Sequence, residues 1–345
     1  MAKRADVAKM AGVSESTVSY VLSGARPISD ETRKRVLEAI KKLDYQPHFA
    51  AGSLATGRSK SIALLFPSGQ FGLPPSASEY IVGAANAARE HGYYLVLWPS
   101  HESNFQQMRS LQSSGWIAGA LLMEIELNDE RVNYLVKNKI PLSLIGRPSK
   151  QEKLDFVDQD FDEVAKLTLE YLASLKHTNI ALIDTEAKQL TQVSVAIRST
   201  EALKKLAPIH GIKLIEVWVE NNATSGKDAV ELIHREYPEV TAIIGLNDVA
   251  TMGLFNATHE LDIEIPKDIS LISLSTPSEY ARMTWPPLTT VAMPAYEMGK
   301  QAAEILIQRL EGSEAEPQQK LWVGQLEIRG STAEAPKRNK KFKKQ

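Results

Sequence analysis

Asp6-Val7-Ala8-Lys9-Met10-Ala11-Gly12-Val13-Ser14-Glu15-Ser16-Thr17-Val18-Ser19-Tyr20-Val21-Leu22 decides how this chain is read. Two short amphipathic segments meet at Gly12, where a tight turn wants a residue tolerant of positive φ. Val7, Ala8, Ala11 and Val13 are expected to pack against Val18, Val21 and Leu22. That leaves Ser14, Glu15, Ser16, Ser19 and Tyr20 on the opposite side, where a helix laid in a major groove would present them to base edges. The pattern predicts a helix-turn-helix. A third helix follows from Ser29, an N-cap with Asp30 and Glu31 favourable in the first turn. Val36, Leu37, Ile40 and Leu43 recur at helical spacing, and Asp44-Tyr45-Gln46-Pro47 ends the run.

The charge distribution agrees with a nucleic-acid partner at this end. The net charge is −2 over 345 residues, but residues 1–60 hold 11 Lys and Arg against 6 acids. The last nine residues add 6 cations and no acid, which leaves 23 cations against 36 acids in the middle. Phosphate attraction is thus localised at the amino-terminal end, and the acidic body is repelled by a duplex. A solvated helical surface would give the same local excess, so charge alone does not decide. Composition excludes more. With no cysteine there is no disulfide scaffold, thiolate metal site or cysteine nucleophile. No apolar run approaches the roughly 18 residues of a membrane span, and Met1-Ala2-Lys3-Arg4-Ala5-Asp6 lacks a secretory apolar region. A cytoplasmic protein is expected.

Residues 48–60, His48 to Lys60, are small and contain Gly52, so an isolated helix there is marginal and a hinge is expected. From Ser61 the pattern alternates between strand and helix. Strands are predicted at 62–66, 94–97, 117–123 and 142–145, with helices over 77–91, 104–113 and 129–138. A second series gives helices over 162–175, 192–210, 226–236 and 249–261, with strands at 180–183, 214–217, 242–244 and 270–274. The tail offers a strand at 287–291, a helix over 296–311 and a strand near 321–328, and residues after Glu334 read as a disordered basic tail. These are doubly wound α/β units, whose ligands lie at the carboxyl ends of parallel strands. Two similar halves and a late returning helix suggest two lobes with a cleft, joined by several crossovers.

Enzyme motifs are missing. Gly52-Ser53-Leu54-Ala55-Thr56-Gly57-Arg58-Ser59 nearly spells a phosphate-binding loop, but has Arg in place of the required Lys and no preceding strand. The 7 histidines show no metal spacing, and neither a nucleophile elbow nor a dinucleotide fingerprint occurs. No catalytic residue, metal or cofactor is therefore expected. The rivals are an α/β enzyme with an appended DNA module and a pure solute-binding protein, which would need an export signal.

The chain resembles the lac-repressor (LacI/GalR) family of bacterial transcription regulators over nearly its whole length. At the front the resemblance rests on Asp6-Val7-Ala8, Ala11-Gly12-Val13-Ser14, Thr17-Val18-Ser19, Val21-Leu22 and Ser53-Leu54-Ala55-Thr56-Gly57-Arg58. At the back it rests on Gly245-Leu246-Asn247-Asp248, Asp268-Ile269-Ser270-Leu271-Ile272 and Pro286-Pro287-Leu288-Thr289-Thr290-Val291. The resemblance implies that Glu15, Ser16 and Tyr20 contact bases, and that Leu54 wedges between central base pairs in the minor groove. Many members carry Arg where Tyr20 stands; a Tyr ring can instead pack on a thymine methyl or donate to phosphate. A first-turn acid facing solvent is the plain alternative for Glu15, as a hinge-packing Leu is for Leu54. Thr17, Ser19 and Ser23 read as phosphate contacts or caps. His48, Phe49 and Gly52 depart from the family's usual residues, and Ser14 and Ser53 complete the DNA-facing set.

In the cleft, Arg147, Asn247 and Asp248 match family positions. Val195 stands where sugar- and purine-responsive members carry a ligand-clamping Arg, with Arg198 three residues on, where Gly is expected. Ser275 replaces a ligand-binding Asp, and Asn221 stands near a stacking aromatic. Phe71, Trp98, Trp218 and Trp285 are candidate stacking walls, although such a residue alone is more often core than ligand wall. The resemblance implies a homodimeric repressor of carbohydrate-related genes. It would bind a near-palindromic operator and be released or engaged by a small-molecule effector, a saccharide, a non-sugar ligand or none. The expected domains are 1–47 for DNA binding, 48–60 for the hinge, 61–334 for effector binding and dimerisation, and 335–345 for the tail. Within the body the expected N-lobe is 61–159 plus 294–320, and the C-lobe 160–290 plus 321–334. No leucine heptad follows Glu311, so a coiled-coil tetramer is not expected.

Overall fold

A computed structural model describes residues 2–23, 26–45, 59–67, 75–100, 116–185, 193–220, 222 and 224–337. The predicted hinge (except 59–60), the helix over 104–113 and the end of the basic tail lie outside these residues. The chain divides into a small amino-terminal unit and a large unit that holds both sheets.

The small unit begins with α1 (Arg4–Ala11), α2 (Glu15–Ser23) and α3 (Asp30–Lys42). Gly12 ends α1 at φ +65, and its amide closes the helix onto Ala8 and Lys9 carbonyls. Glycine is the residue that adopts this conformation without a Cβ penalty. Val7, Ala8, Ala11, Val18, Val21, Val36, Ala39 and Tyr45 form the core. Two expected members are absent. Leu22 is 40% and Leu37 51% exposed, because each falls one residue beyond the inward stripe that Val21 and Val36 occupy. Ser29 caps α3 by accepting from the Thr32 amide at 3.4 Å.

The large unit contains two six-stranded sheets. The first holds β1 (Ser61–Pro67), β2 (Tyr94–Ser100), β3 (Gly119–Leu122), β4 (Leu142–Ile145), β5 (Phe156–Gln159) and β11 (Gln319–Trp322), in the order β11-β5-β4-β3-β1-β2. The second holds β6 (Asn179–Thr185), β7 (Lys213–Val219), β8 (Ala242–Gly245), β9 (Ser270–Ser273), β10 (Thr289–Ala292) and β12 (Gln325–Glu327), in the order β12-β10-β9-β8-β6-β7. Parallel pairing joins β1, β3, β4, β5 and β11, and likewise β7, β6, β8, β9 and β10; β12 is antiparallel to β10. Each sheet thus repeats the doubly wound order that places a crevice at the carboxyl ends of its strands.

The helices are α4 (Pro75–Glu90), α5 (Glu130–Lys137), α6 (Phe161–Ser174), α7 (Ser194–Leu206), α8 (Ser225–Glu236), α9 (Asp248–Glu260), α10 (Ser278–Met283) and α11 (Ala295–Leu310). They pack on the sheets because the central strands are apolar on both faces, as the fully buried runs of β3, β8 and β9 show. The late helix α11 returns to lie on α4. Their backbones meet so closely that a Cβ built on Gly83 would stand 2.0 Å from the Tyr296 carbonyl oxygen, and one on Gly299 equally close to that of Tyr80.

Three expectations change. The single strand near 321–328 is two strands in different sheets, separated at Val323-Gly324. β5 was not foreseen, and neither was α10. The chain passes between lobes after β5, before α11 and between β11 and β12. Arg309, near the end of α11, fixes the last approach. Its guanidinium holds Asp155 at 2.7 and 2.9 Å and also donates to the carbonyls of Ser313 and Glu316.

Candidate functional site

Helix α2 is capped by side chains of its own segment. Ser14 accepts from the Thr17 amide at 3.1 Å and shares hydroxyl contacts with Ser16 and Thr17 at 2.7 and 2.9 Å. Ser14 is therefore the N-cap of α2. Glu15 pairs with Arg4 at 3.2 Å, both about half exposed. This exposed pair is worth little by itself. Ser16 is exposed, while Thr17, Ser19 and Tyr20 are half-buried. The Arg26 guanidinium lies 4.9 Å from the Tyr20 ring centroid, so a cation is already stacked on the ring. Ser23 ends α2. His48, Ser53 and Leu54 lie outside the described residues.

In the body, groups from both lobes meet at the carboxyl ends of the strands. Arg147 follows β4. Its side chain is 13% exposed, and the guanidinium lies 5.7 and 5.5 Å from the ring centroids of Phe156 and Phe161 and 3.4 Å from Asp158 Oδ2. Its nearest hydrogen bond is a long one of 3.5 Å to the Gln159 carbonyl. Asp158, on β5, accepts from the Gln159 amide at 2.8 Å through Oδ1, and its Oδ2 has no hydrogen-bond partner among the described residues beyond the ion pair with Arg147. Burial pushes the Asp158 carboxyl up to about 6, although Arg147, the Gln159 amide and Arg198 pull the other way.

From the other lobe, Arg198 on α7 donates to Ser194 Oγ at 2.8 Å and reaches the Pro148 carbonyl at 3.3 Å. Burial, then repulsion by Arg147, lowers its pKa; Asp158 and Glu201 oppose this. Asp248, the first residue of α9, accepts the Ser76 amide of α4 at 3.1 Å across the lobes. Burial raises its pKa against hydrogen bonds from Ser275 and Ser76. Burial also raises Tyr80, on α4, to which the charges of Asp158, Glu79 and Asp248 add, and its hydroxyl points to Met298 Sδ at 3.8 Å. Nearby, Ser194 donates its amide to the Ile125 carbonyl at 2.7 Å, and Glu126 bridges Val193. Glu124, at φ +48 just beyond β3, is raised by burial and lowered less by Arg131.

Of the expected cleft residues, Arg147, Asn247 and Ser275 sit at this edge. Asn247 caps α9 by accepting the Ala250 amide at 2.9 Å, and Ser275 lies 3.4 Å from Ser273. Val195 opens α7 and is partly exposed. Asn221 and Phe71 lie outside the described residues. Trp98 and Trp218 sit near the carboxyl ends of the edge strands β2 and β7. Trp285 does not belong to this edge: it is 89% exposed and precedes β10, hence at the amino end of that strand. Asp158 and Tyr80 were missed; an acid ending a short strand was the available signal for the first.

A helix-turn-helix with a polar, exposed second helix, encoded ahead of a two-lobed α/β body, defines a DNA-binding regulator built on a periplasmic-binding-protein-like body. Residues 5–48 match the family described as bacterial regulatory proteins, lacI family, and residues 169–332 match the periplasmic binding protein-like domain. The HTH-type transcriptional regulator AglR of Rhizobium meliloti is 30% identical over 96% of this chain and 95% of its own length. The HTH-type transcriptional repressor PurR of Erwinia tasmaniensis is 32% identical over 98% and 99%. Among solved structures, the lac repressor dimer bound to operator and the anti-inducer ONPF aligns with a TM-score of 0.80 at 23% identity, covering 96% of this chain and 99% of that one. The transcriptional regulator CelR–cellobiose complex aligns at 0.71 and 24% identity, covering 96% and 100%.

The chain belongs to the lacI family. It is a DNA-binding transcriptional regulator and not an enzyme. Among the described residues no helix is long and apolar enough to cross a membrane.

Proposed function

We propose that the protein is a cytoplasmic homodimeric repressor of carbohydrate-related genes, which binds a near-palindromic operator and responds to a small molecule in the interlobe cleft. The observation that carries this reading is the convergence of Arg147, Asp158, Arg198 and Asp248 from both lobes at the carboxyl-end edge, where doubly wound sheets take ligands. A ligand that bridges these groups biases the lobe arrangement, and an effector controls the operator only through such differential binding. CelR was solved with cellobiose, which supports a saccharide here.

In this reading Ser14, Glu15, Ser16, Thr17, Ser19, Tyr20 and Ser23 face the groove, with His48, Ser53 and Leu54 contributing from the hinge over 48–60. Arg147, Val195, Asn247 and Ser275, with Phe71 and Asn221, line the effector cleft. The domain limits are 1–47, 48–60, 61–334 and 335–345. Dimerisation has candidate surfaces in both lobes: Val82 on α4 with Tyr94, Val96 and Leu97 on edge strand β2, and Tyr280, Met283 and Trp285 around α10. Exposed apolar side chains clustered in this way mark association surfaces.

Footprinting on the region upstream of the chain's own gene, together with analytical ultracentrifugation, tests the reading. The expected result is one protected near-palindrome occupied by two chains. Removing residues 1–60 should abolish protection and leave the body dimeric. A monomeric body, or protection without two-fold symmetry, refutes it.

A further inference from the structure

We propose that helix α2, which carries no cation, engages its operator through two arginines supplied by its flanks, Arg4 of α1 and Arg26 beyond its end, with Glu15 and Tyr20 as their positioning residues. The acceptors are DNA oxygens, of a phosphate or of a guanine edge. This rests on the reading of α2 as the groove-facing helix.

The first ground is where the charge lies. No Lys or Arg occurs between Lys9 and Arg26, and the charged residue of α2 is Glu15, an exposed acid in its first turn. Duplex affinity comes largely from cations that neutralise phosphates. A helix whose own charge is an acid must draw them from neighbouring segments.

The second ground is Arg4. It opens α1 and donates through Nε to Glu15 Oε2 at 3.2 Å. An exposed pair of this kind adds little to stability. Its effect on the surface of α2 is electrostatic, because it cancels an acid that the phosphates would repel. It also fixes one edge of the guanidinium. The four N–H donors on the two Nη atoms have no acceptor among the described residues, and they form the part of the fork that suits oxygens of DNA.

The third ground is Arg26. It is exposed and has no hydrogen bond or ion pair among the described residues, yet two features restrain it. Its guanidinium lies 4.9 Å from the Tyr20 ring centroid, and Pro27 biases its backbone to the extended region. A cation–π contact uses the charge of a guanidinium and none of its N–H donors, so the fork is oriented and still fully available. Glu15 and Tyr20 stand about 7.5 Å apart along the helix axis, so the two arginines are anchored at separate places on α2.

The test uses the full-length protein and a duplex that wild type selects from a randomised DNA library, with binding read by fluorescence anisotropy across a range of salt. Arg4→Gln and Arg26→Gln, both at exposed positions, should each weaken binding about five- to a hundredfold without moving the melting temperature. A phosphate contact shows as a shallower salt dependence with base preference intact; a guanine contact shows as preference lost at one base pair. Tyr20→Leu should weaken binding about two- to fivefold, and not at all in the Arg26→Gln background. Tyr20→Phe, which keeps the ring face, should retain what Tyr20→Leu loses. Glu15→Gln added to Arg4→Gln should improve binding, because it removes a bare acid from the phosphate field. Normal binding by either arginine variant overturns the proposal and leaves the regulator reading standing. An equal loss in Tyr20→Phe and Tyr20→Leu also overturns it, since the hydroxyl would then be the reader. So does a further loss on adding Glu15→Gln to Arg4→Gln, which would make Glu15 a base contact. If no duplex is selected, the regulator reading itself falls, and this proposal with it.

Discussion

Asp158→Asn isolates an electrostatic load that the fold carries at neutral pH. Burial moves this carboxyl from 3.8 in the ordinary state to about 6 in the folded protein. A folded pKa above the unfolded one means that the native state binds the proton more tightly, so the native state is favoured at acid pH. That advantage is complete below about 3.8 and is lost as pH climbs through 6. At about 1.36 kcal/mol per unit, the full swing is about 3 kcal/mol, of which about half falls between pH 5 and pH 8. For a body of this size that half is about 3–5 °C in melting temperature. The assay is thermal unfolding of wild type and variant at pH 5, 6, 7 and 8 in buffers of equal ionic strength. Glu124, Asp248 and His177 also titrate abnormally, but both proteins keep them, so the difference between the two curves reports Asp158. Wild type should lose about 1.4 kcal/mol more than the variant from pH 5 to pH 8. Parallel curves would show that Arg147 neutralises the carboxylate fully and that the burial argument is wrong.

Gly299→Ala would drive a Cβ onto the Tyr80 carbonyl oxygen, and should destabilise the body by about 3 kcal/mol or more in urea unfolding. Arg309→Ala leaves Asp155 buried without its partner and should cost about 3–5 kcal/mol by the same measurement. Ser14→Ala removes the cap of α2, with a loss of about 1 kcal/mol in the small unit and a corresponding fall in operator affinity by gel shift. Leu54→Ala should weaken specific DNA binding more than nonspecific binding; equal losses would exclude a wedge in the minor groove.

Much of the fold was legible because local chemistry and global position coincide. Gly12 marks the turn, Ser29 caps α3, and the apolar runs of β3, β8 and β9 are buried on both faces as their sequences suggest. Where the sequence misled, periodicity was ambiguous. Leu22 and Leu37 sit next to inward residues, and neighbouring positions on a helix differ by about 100°, enough to expose one of two apolar side chains. β5 escaped because it is short, and β11 and β12 were read as one strand because each is short and Gln319, Lys320 and Gln325 on these edge strands are exposed. Arg198 showed in the sequence only as a residue where Gly is expected. Its reach to Pro148 depends on how closely the lobes approach, which no local pattern encodes. The wetness or dryness of Asp158 is likewise a property of packing.

The separation of β11 and β12 at Val323-Gly324 bears on synthesis. Each strand completes a different sheet, and both follow every other strand of the two sheets in chain order. The first sheet lacks a strand until residue 322 has emerged and the second until residue 327, so up to β11 a translating chain carries two unfinished sheet margins at once. A premature stop just before residue 319 should therefore yield aggregated material, whereas a stop at residue 324 leaves the first sheet complete and only the second defective.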